Sequence, residues 1–262
     1  MTYSHVAIAF VHPHEVAALF TTSLWRTVAD MPGVEIIDMG SGPMIAPARN
    51  EIALTFMSQT NADVLLTVDA DMAFSPERVK RLIECIDEDS PIMGGLCFVV
   101  GRTGLLEPTI KVTDPVNGGL EVVWDYPKNG IVSCDATGTA FLGAHRSVFE
   151  KLLGTYGDTP YPFYADTAHG GIPWSEDVTF CIRARQHGFP VKVHTGISIG
   201  HIKPYVYTEA DYDAQKAVIA VRGEEAVKHE YMVRMGLLED DTPPAKPWLT
   251  RAERRRLARA KR

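Results

Sequence analysis

From residue 6 to residue 87 the chain alternates short apolar, β-branched runs with stretches whose apolar residues recur at helical spacing, and few folds accommodate that alternation. Residues 6–11 (Val-Ala-Ile-Ala-Phe-Val) read as a strand, followed by a His12-Pro13-His14 loop. Residues 15–29 carry Val16, Leu19, Phe20, Leu24 and Val28 on one helical face. Pro32-Gly33 breaks that helix, and residues 34–39 form a second strand. Gly40-Ser41-Gly42-Pro43 leads into a second helix from Pro47 to about Thr60. Residues 64–68 (Val-Leu-Leu-Thr-Val) are apolar enough for a strand buried on both faces. Ser75 as N-cap and Pro76 at the first helical position then open a third helix, 76–87. A βαβαβα order predicts an α/β fold, with a central, mostly parallel sheet and helices on both faces.

After Pro91 the alternation fades. Residues 92–100, 109–112, 120–124 and 131–134 are short extended pieces, with turn signals at Asn117-Gly118-Gly119 and Lys128-Asn129-Gly130. They predict a mixed or antiparallel part added to the same sheet. Residues 137–142 precede a helix over 146–153. Residues 154–173, rich in Gly, Pro and aromatics, read as a long surface loop. Ser175-Glu176-Asp177 opens a further helix that ends with Gly188 as C-cap. Residues 191–193 and 197–199 are extended, and Gly200-His201 closes the second of them. A helical segment, 210–235, leads through Pro243-Pro244 to a basic tail. The expected organisation is a catalytic-type domain over 1–205, with halves at about 1–100 and 101–205. A helical extension over 206–242 and the tail over 243–262 follow.

The tail sharpens the charge reading. Residues 251–262 hold seven Lys/Arg and one Glu, so the net −7 of the chain conceals −13 over residues 1–250. An acidic body argues against a nucleic-acid enzyme, which would carry positive charge on its main surface. A nucleic-acid or anionic-surface contact is open only to the tail, which is otherwise a solvated end. With Leu257 as its single large apolar residue it has no face to insert into lipid. No apolar run is long enough to span a bilayer, and a strand already at residues 6–11 leaves no signal peptide. Cys85, Cys97, Cys134 and Cys181 are scattered without a Cys-x-x-Cys pair. That argues against zinc and for reduced thiols in a cytoplasmic setting. Cys85 and Cys181 fall in helical patterns as small core residues.

The third strand ends in Asp69-Ala70-Asp71. Side chains at i and i+2 of an extended chain point the same way, so the two carboxylates are expected to face one point. In an open α/β sheet that point lies beyond the carboxyl ends of the strands, where ligands bind. Two adjacent carboxylates repel, and a hard divalent ion, Mg²⁺ or Mn²⁺, would relieve the repulsion.

Four segments in order resemble the GT-A glycosyltransferases, especially their family-2-like group, over roughly residues 5–205. They are Ala48-Arg49-Asn50, Val68-Asp69-Ala70-Asp71, Gly138-Thr139-Ala140-Phe141-Leu142 with Arg146 and Phe149, and Ser175-Glu176-Asp177-Val178 through Gly188 to Gly200-His201. The resemblance implies a Rossmann-like GT-A fold and a metal-dependent, hexosyltransferase-type enzyme. Such an enzyme moves a sugar from a nucleoside-diphosphate sugar, UDP-sugars favoured, to a hydroxyl-bearing acceptor that could be a protein, a glycan or a small molecule. It implies that Asp71 binds the metal directly. Asp69 contacts the ribose and reaches the metal through water, and the backbone at Ala70 lies beside the nucleotide. His201 matches a third metal ligand whose imidazole favours Mn²⁺ over Mg²⁺. Asp177 becomes the general base of an inverting reaction. Gly138, Thr139, Trp174 and Glu176 are expected on the acceptor side, with Trp174 as a flat platform for a sugar or as packing. Arg49 and Asn50, at a helix start, suit a phosphate or nucleobase, and His12 and Asp38 lie where the nucleobase is expected. The chain departs from the family at His12-Pro13-His14, where a Ser- or Thr-rich nucleotide contact is common.

Rival readings are weaker on particular residues. A haloacid-dehalogenase-type phosphatase needs Thr or Val two positions beyond the second Asp, where this chain has Ala73. A sugar nucleotidyltransferase needs a Gly-rich basic loop after the first strand. A retaining transferase on the same fold, or a non-catalytic nucleotide-sugar or carbohydrate-binding module, completes the alternatives. Retention of Asp69, Asp71 and Asp177 argues against the module.

Overall fold

The computed structural model describes residues 5–101, 105–114, 116, 118–204 and 208–234. The expectations that fall on Asn117, Tyr205, Met235 and the tail 243–262 lie outside the described residues. The chain runs β1 (Val6–His12), α1 (Ala18–Asp30), β2 (Glu35–Gly40), α2 (Ile45–Gln59), β3 (Val64–Asp69), β4 (Met72–Ala73) and α3 (Pro76–Ile83). Next come β5 (Ile92–Leu96), β6 (Phe98–Val100), β7 (Leu106–Pro108), β8 (Lys111–Thr113), β9 (Leu120–Val122), β10 (Ile131–Cys134), β11 (Phe141–His145) and α4 (Arg146–Tyr156). The chain continues through β12 (Thr167–His169), β13 (Ile172–Trp174), α5 (Glu176–Gln186), β14 (Val191–Ser198), β15 (Gly200–His201), α6 (Glu209–Arg222) and α7 (Glu224–Arg234).

Seven strands form one sheet in the order β10-β14-β5-β11-β3-β1-β2. β2, β1 and β3 are mutually parallel, and β14 is parallel to β5. β11 lies antiparallel between β3 and β5, and β10 is antiparallel at the edge. The carboxyl ends of β1, β2, β3, β5 and β14 therefore share one edge. Side chains alternate across β1: Ala7, Ala9 and Val11 join the core under α2, α4 and α5. Val6, Ile8 and Phe10 join the core under α1 and α3. Each face of the sheet thus carries helices, as the alternation predicted.

Several local expectations are corrected by packing. α2 begins at Ile45, before Pro47, because a proline in the first turn gives up an N–H that has no helical partner there. α3 stops at Ile83, so Cys85 lies just beyond it and only half-buried. Residues 191–198 form one strand instead of two pieces, with Ile199 just beyond it and the register against β5 shifting between His194 and Ser198. The helix expected over 210–235 is two helices, because Gly223 takes φ +82° between them. They pack against each other.

The largest correction concerns residues 154–173. α4 continues to Tyr156, Phe163 and Tyr164 are fully buried, and β12 pairs with β13 as a hairpin. Asn50 explains how an aperiodic stretch can enter the core. Its amide nitrogen donates to the carbonyls of Ala46 and Tyr164, both at 2.7 Å. Its Oδ1 accepts the Phe163 and Tyr164 amides at 3.0 and 3.3 Å. The side chain's hydrogen-bonding capacity is spent on buried backbone that would otherwise be unpaired. Asn50 is therefore a brace, not the phosphate or nucleobase contact expected of it. Arg146 does a similar task, donating to the carbonyls of Phe56, Met57, Thr60 and Ala62 and so closing the C-terminal end of α2.

Phe149 is fully buried, with ring centroids 5.5 Å from Phe56, 5.7 Å from Phe163 and 5.7 Å from Phe180. It joins α2, α4, α5 and the 163–164 segment. Phe149→Ala is expected to cost about 3–5 kcal/mol by the range for large core aromatics, read as a lower urea midpoint at unchanged denaturant slope.

Candidate functional site

Residues far apart in the chain meet at the carboxyl edge of the sheet. Asp69 closes β3, and its amide donates to the Ala140 carbonyl at 3.0 Å, drawing residues 137–140 alongside. β15 pairs antiparallel with β4, His201 opposite Met72, and the Ile202 amide donates to the Asp71 carbonyl at 2.7 Å. The first turn of α5 supplies Glu176 and Asp177. These segments enclose a cleft of about 330 Å³ whose lining includes Arg49, Asp69, Lys111, Gly138, Thr139, Glu176, Asp177 and His201.

Arg49 is the cation at its centre. Its guanidinium is buried, with Nη2 2.7 Å from Asp69 Oδ1 and Nη1 in contact with Glu176 Oε1. Burial opposes its charge, but Asp69, Glu176 and Asp177 outweigh that and hold its pKa above the ordinary value. Burial lifts the Glu176 carboxyl above the usual carboxylate range, with Arg49 pulling against it. Glu176 and Asp69 are thus tied to one fork from opposite sides.

Asp71 meets different partners. Its Oδ2 accepts from Lys203 Nζ at 2.5 Å and lies 3.1 Å from His201 Nε2. The idea that Asp69 and Asp71 face one point requires a chain still extended at both, and β3 stops at Asp69 with Ala70-Asp71 in a turn. The turn sends Asp69 to Arg49 and Asp71 to His201. Asp69 therefore leaves the expected metal set. Among the described residues no three His, Cys, Asp or Glu side chains converge as a ready-made metal cage.

The pair that remains does fit a divalent ion completed by substrate oxygens. His201 Nδ1 lies 2.8 Å from the Phe98 carbonyl, which can only accept, so that nitrogen carries a proton. The charged ring donates from Nε2 to Asp71, and a neutral ring would have its Nε2 lone pair free for an ion held beside Asp71. Adjacent ligands of an octahedral ion with bonds of about 2.1 Å lie about 3 Å apart, close to the Asp71–His201 separation. The Asp71 hydrogen bond raises the His201 pKa above 6.5 against burial. Burial would raise Asp71, but His201 and Lys203 draw it down to about 2.

Asp177 is anchored on one side and open on the other. Its Oδ1 accepts from the Ser175 hydroxyl and, at 2.7 Å, from the Val178 amide. Its Oδ2 would lie 3.6 Å from a Cβ placed on Gly138, so the glycine leaves that oxygen uncovered. Thr139 is buried, and its hydroxyl has no partner among the described residues. Trp174 does not line this cleft. Its indole stacks on His169 at 5.0 Å and packs on the core because the β12–β13 hairpin turns it there, so the geometry favours packing over a sugar platform. His12, at the end of β1, and Asp38, two residues inside the end of β2, pair at 2.7 Å, near Asp69 through the Val11–Asp69 register. Ala70, within the turn, is buried. Cys97 also lines the cleft. Burial, with Asp69 and Asp71 adding to it, pushes its thiol up to about 12 and leaves it no thiolate character.

Sequence reasoning missed Lys203 and Lys111. Lys203 follows His201 at i+2, a spacing that puts both on one side of an extended chain. Lys111 carries no local signal.

No family model matches the sequence, and no curated protein matches it. Solved structures do match. GalNAc-T7, crystallised with UDP, GalNAc and Mn²⁺, is 13% identical with a TM-score of 0.52, over 76% of this chain. The fold is that of the GT-A glycosyltransferases. The match takes in 44% of the GalNAc-T7 chain, so this chain spans less than half of that protein. A197 from STIV is 15% identical with a TM-score of 0.48, over 76% of this chain and 86% of that one. At 13% identity the GalNAc-T7 match concerns the fold and does not single out the family-2-like group. Among the described residues no helix is long and apolar enough to cross a membrane.

Two measurements probe this geometry. Arg49→Met leaves Glu176 and Asp69 without their shared cation and is expected to destabilise the fold by about 3 kcal/mol, read by urea unfolding. The His201–Asp71 pair stabilises fully below pH 6.5, and that contribution is lost as pH rises through the raised His201 value. Its acid limb lies between 3.8 and about 2, where Asp71 protonates. In an NMR titration His201 is expected to show a midpoint above 6.5, falling in Asp71→Asn.

Proposed function

We propose that the protein is a divalent-metal-dependent glycosyltransferase that moves a sugar from a nucleoside-diphosphate sugar, UDP-sugars favoured, to an acceptor hydroxyl with inversion. The observation that carries the reading is Asp177, a carboxylate with one oxygen tied down and the other open beside Gly138. It shares its cleft with His201 and the Arg49 network. The GalNAc-T7 structure, which holds UDP and Mn²⁺ on the same fold, supports a nucleotide sugar and a metal here.

Asp177 Oδ2 takes the proton of the acceptor hydroxyl as that oxygen attacks the anomeric carbon, and the diphosphate leaves on the opposite face. The Ser175 hydroxyl and Val178 amide keep the carboxylate oriented for this transfer. Arg49 holds Asp69 toward the ribose, and His12 and Asp38 lie toward the nucleobase. Asp71 and His201 would hold a divalent ion, which when bound would neutralise charge growing on the diphosphate. Lys111, a cleft cation with no partner among the described residues, adds positive charge for the same anion. Gly138 and Thr139 line the acceptor side. The compartment expected for the chain is the cytoplasm.

Thermal unfolding with UDP-, GDP-, CMP- and dTDP-sugars, each with and without Mn²⁺, tests the donor site. A melting-point rise with one nucleotide class that needs Mn²⁺ and vanishes in Asp71→Ala is the expected outcome. Asp177→Asn is expected to keep that rise while donor turnover, including slow hydrolysis, falls by about 10²–10⁴-fold. Unchanged turnover in Asp177→Asn would remove the base from the mechanism, and no rise with any donor would remove the transferase.

A further inference from the structure

We propose that Lys203 is a built-in counter-cation for Asp71, displaced by the divalent ion and then transferred to the donor diphosphate. The inference rests on the proposed function, because it assigns this chain's own lysine a role at that metal position.

The geometry is specific. Lys203 Nζ and His201 Nε2 converge on the same oxygen, Asp71 Oδ2, at 2.5 and 3.1 Å. An ion taking Asp71 and His201 as ligands would share that oxygen with the ammonium. Two cations on one oxygen repel across about 4 Å, so the two arrangements compete. The side chain is also built to move while its base stays put. Ile202 is fixed to the Asp71 carbonyl at 2.7 Å, which holds the backbone beside the site. The Lys203 side chain itself is 56% exposed, and its four-carbon stem places a compact charge over a wide arc.

Charge balance gives the exchange a direction. Without an ion, Lys203 shares Asp71 Oδ2 with His201 and supplies a fixed positive charge that neutralises the carboxylate. With an ion on Asp71 and a neutral His201, Lys203 loses its partner just when a diphosphate adds negative charge next to it. The freed ammonium then has an anion to meet. Lys203 therefore opposes metal binding to the empty protein and favours nucleotide binding to the metal-loaded one. The effect is to couple the two ligands, so that ion and nucleotide are taken up together.

Calorimetric titration of wild type and Lys203→Met with Mn²⁺ alone, then with UDP at saturating Mn²⁺, reads both limbs. Lys203→Met is expected to bind Mn²⁺ alone about two- to fivefold more tightly, the scale of one exposed ion pair released. It should bind UDP on the order of tenfold more weakly once Mn²⁺ saturates, the scale of one charge-assisted hydrogen bond. Lys203→Arg should return both affinities toward wild type. A merely structural lysine would shift both affinities in the same direction or neither. Mn²⁺ binding that depends on Asp71 but is unchanged or weaker in Lys203→Met overturns the exchange and leaves the proposed transferase standing. UDP affinity unchanged in Lys203→Met at saturating Mn²⁺ overturns it as well. Absence of Mn²⁺ binding in both proteins, with or without UDP, overturns the metal reading and this inference with it.

Discussion

The buried guanidinium of Arg49 is the constraint on which the site depends. One fork joins α2 to the end of β3 through Asp69 and to the start of α5 through Glu176. Removing an arginine from water is costly, and only a full set of carboxylate partners recovers that cost. Two consequences follow for the cleft. Glu176 and Asp69 are held at fixed positions, and the neighbouring Asp177 is presented from a helix start that cannot shift independently of β3. Asn50, the next residue along α2, braces the 163–164 segment behind the same helix. A single turn of α2 therefore organises the cleft on one side and the core on the other.

A second, smaller closure works at the opposite side of the cleft. Pairing of β15 with β4 brings together His201 and Asp71, which stand 130 residues apart. The Phe98 carbonyl then settles which His201 nitrogen carries the proton. Backbone pairing sets the position and a single carbonyl sets the chemistry. With Nδ1 protonated, Nε2 either donates to Asp71 when the ring is charged or, when it is neutral, has its lone pair free for an ion beside Asp71. The two carboxylates of one short motif end up in separate networks, one built on arginine and one on histidine and lysine.

Much of this was legible in the sequence wherever the signal was local. Periods of about two and 3.6 residues gave β1 through α3 and the two-sided burial of β3. Glycine marked the end of α5, and Asp177 stood out at an acidic helix start. Residues 154–173 were misread because their order comes from Asn50, more than a hundred residues earlier, and not from any periodicity of their own. Type and position suit Asn50 to a ligand and leave Trp174 open between a sugar platform and packing, whereas their contacts are with backbone and with His169 and the core.

Alone, then, the sequence determined an α/β sheet with helices on both faces, carboxylates at the end of its third strand, and an acidic body with a basic tail. Those properties follow from composition and from neighbours within a few residues. Tertiary structure decided which cation each carboxylate met. The turn at Ala70-Asp71 ends the extended geometry that would have aimed both side chains at one point, and Arg49, Glu176, His201 and Lys203 reach them only through folding. Electrostatic partnership depends on distance in space, and in this chain the partners that matter are separated by up to 132 residues of sequence.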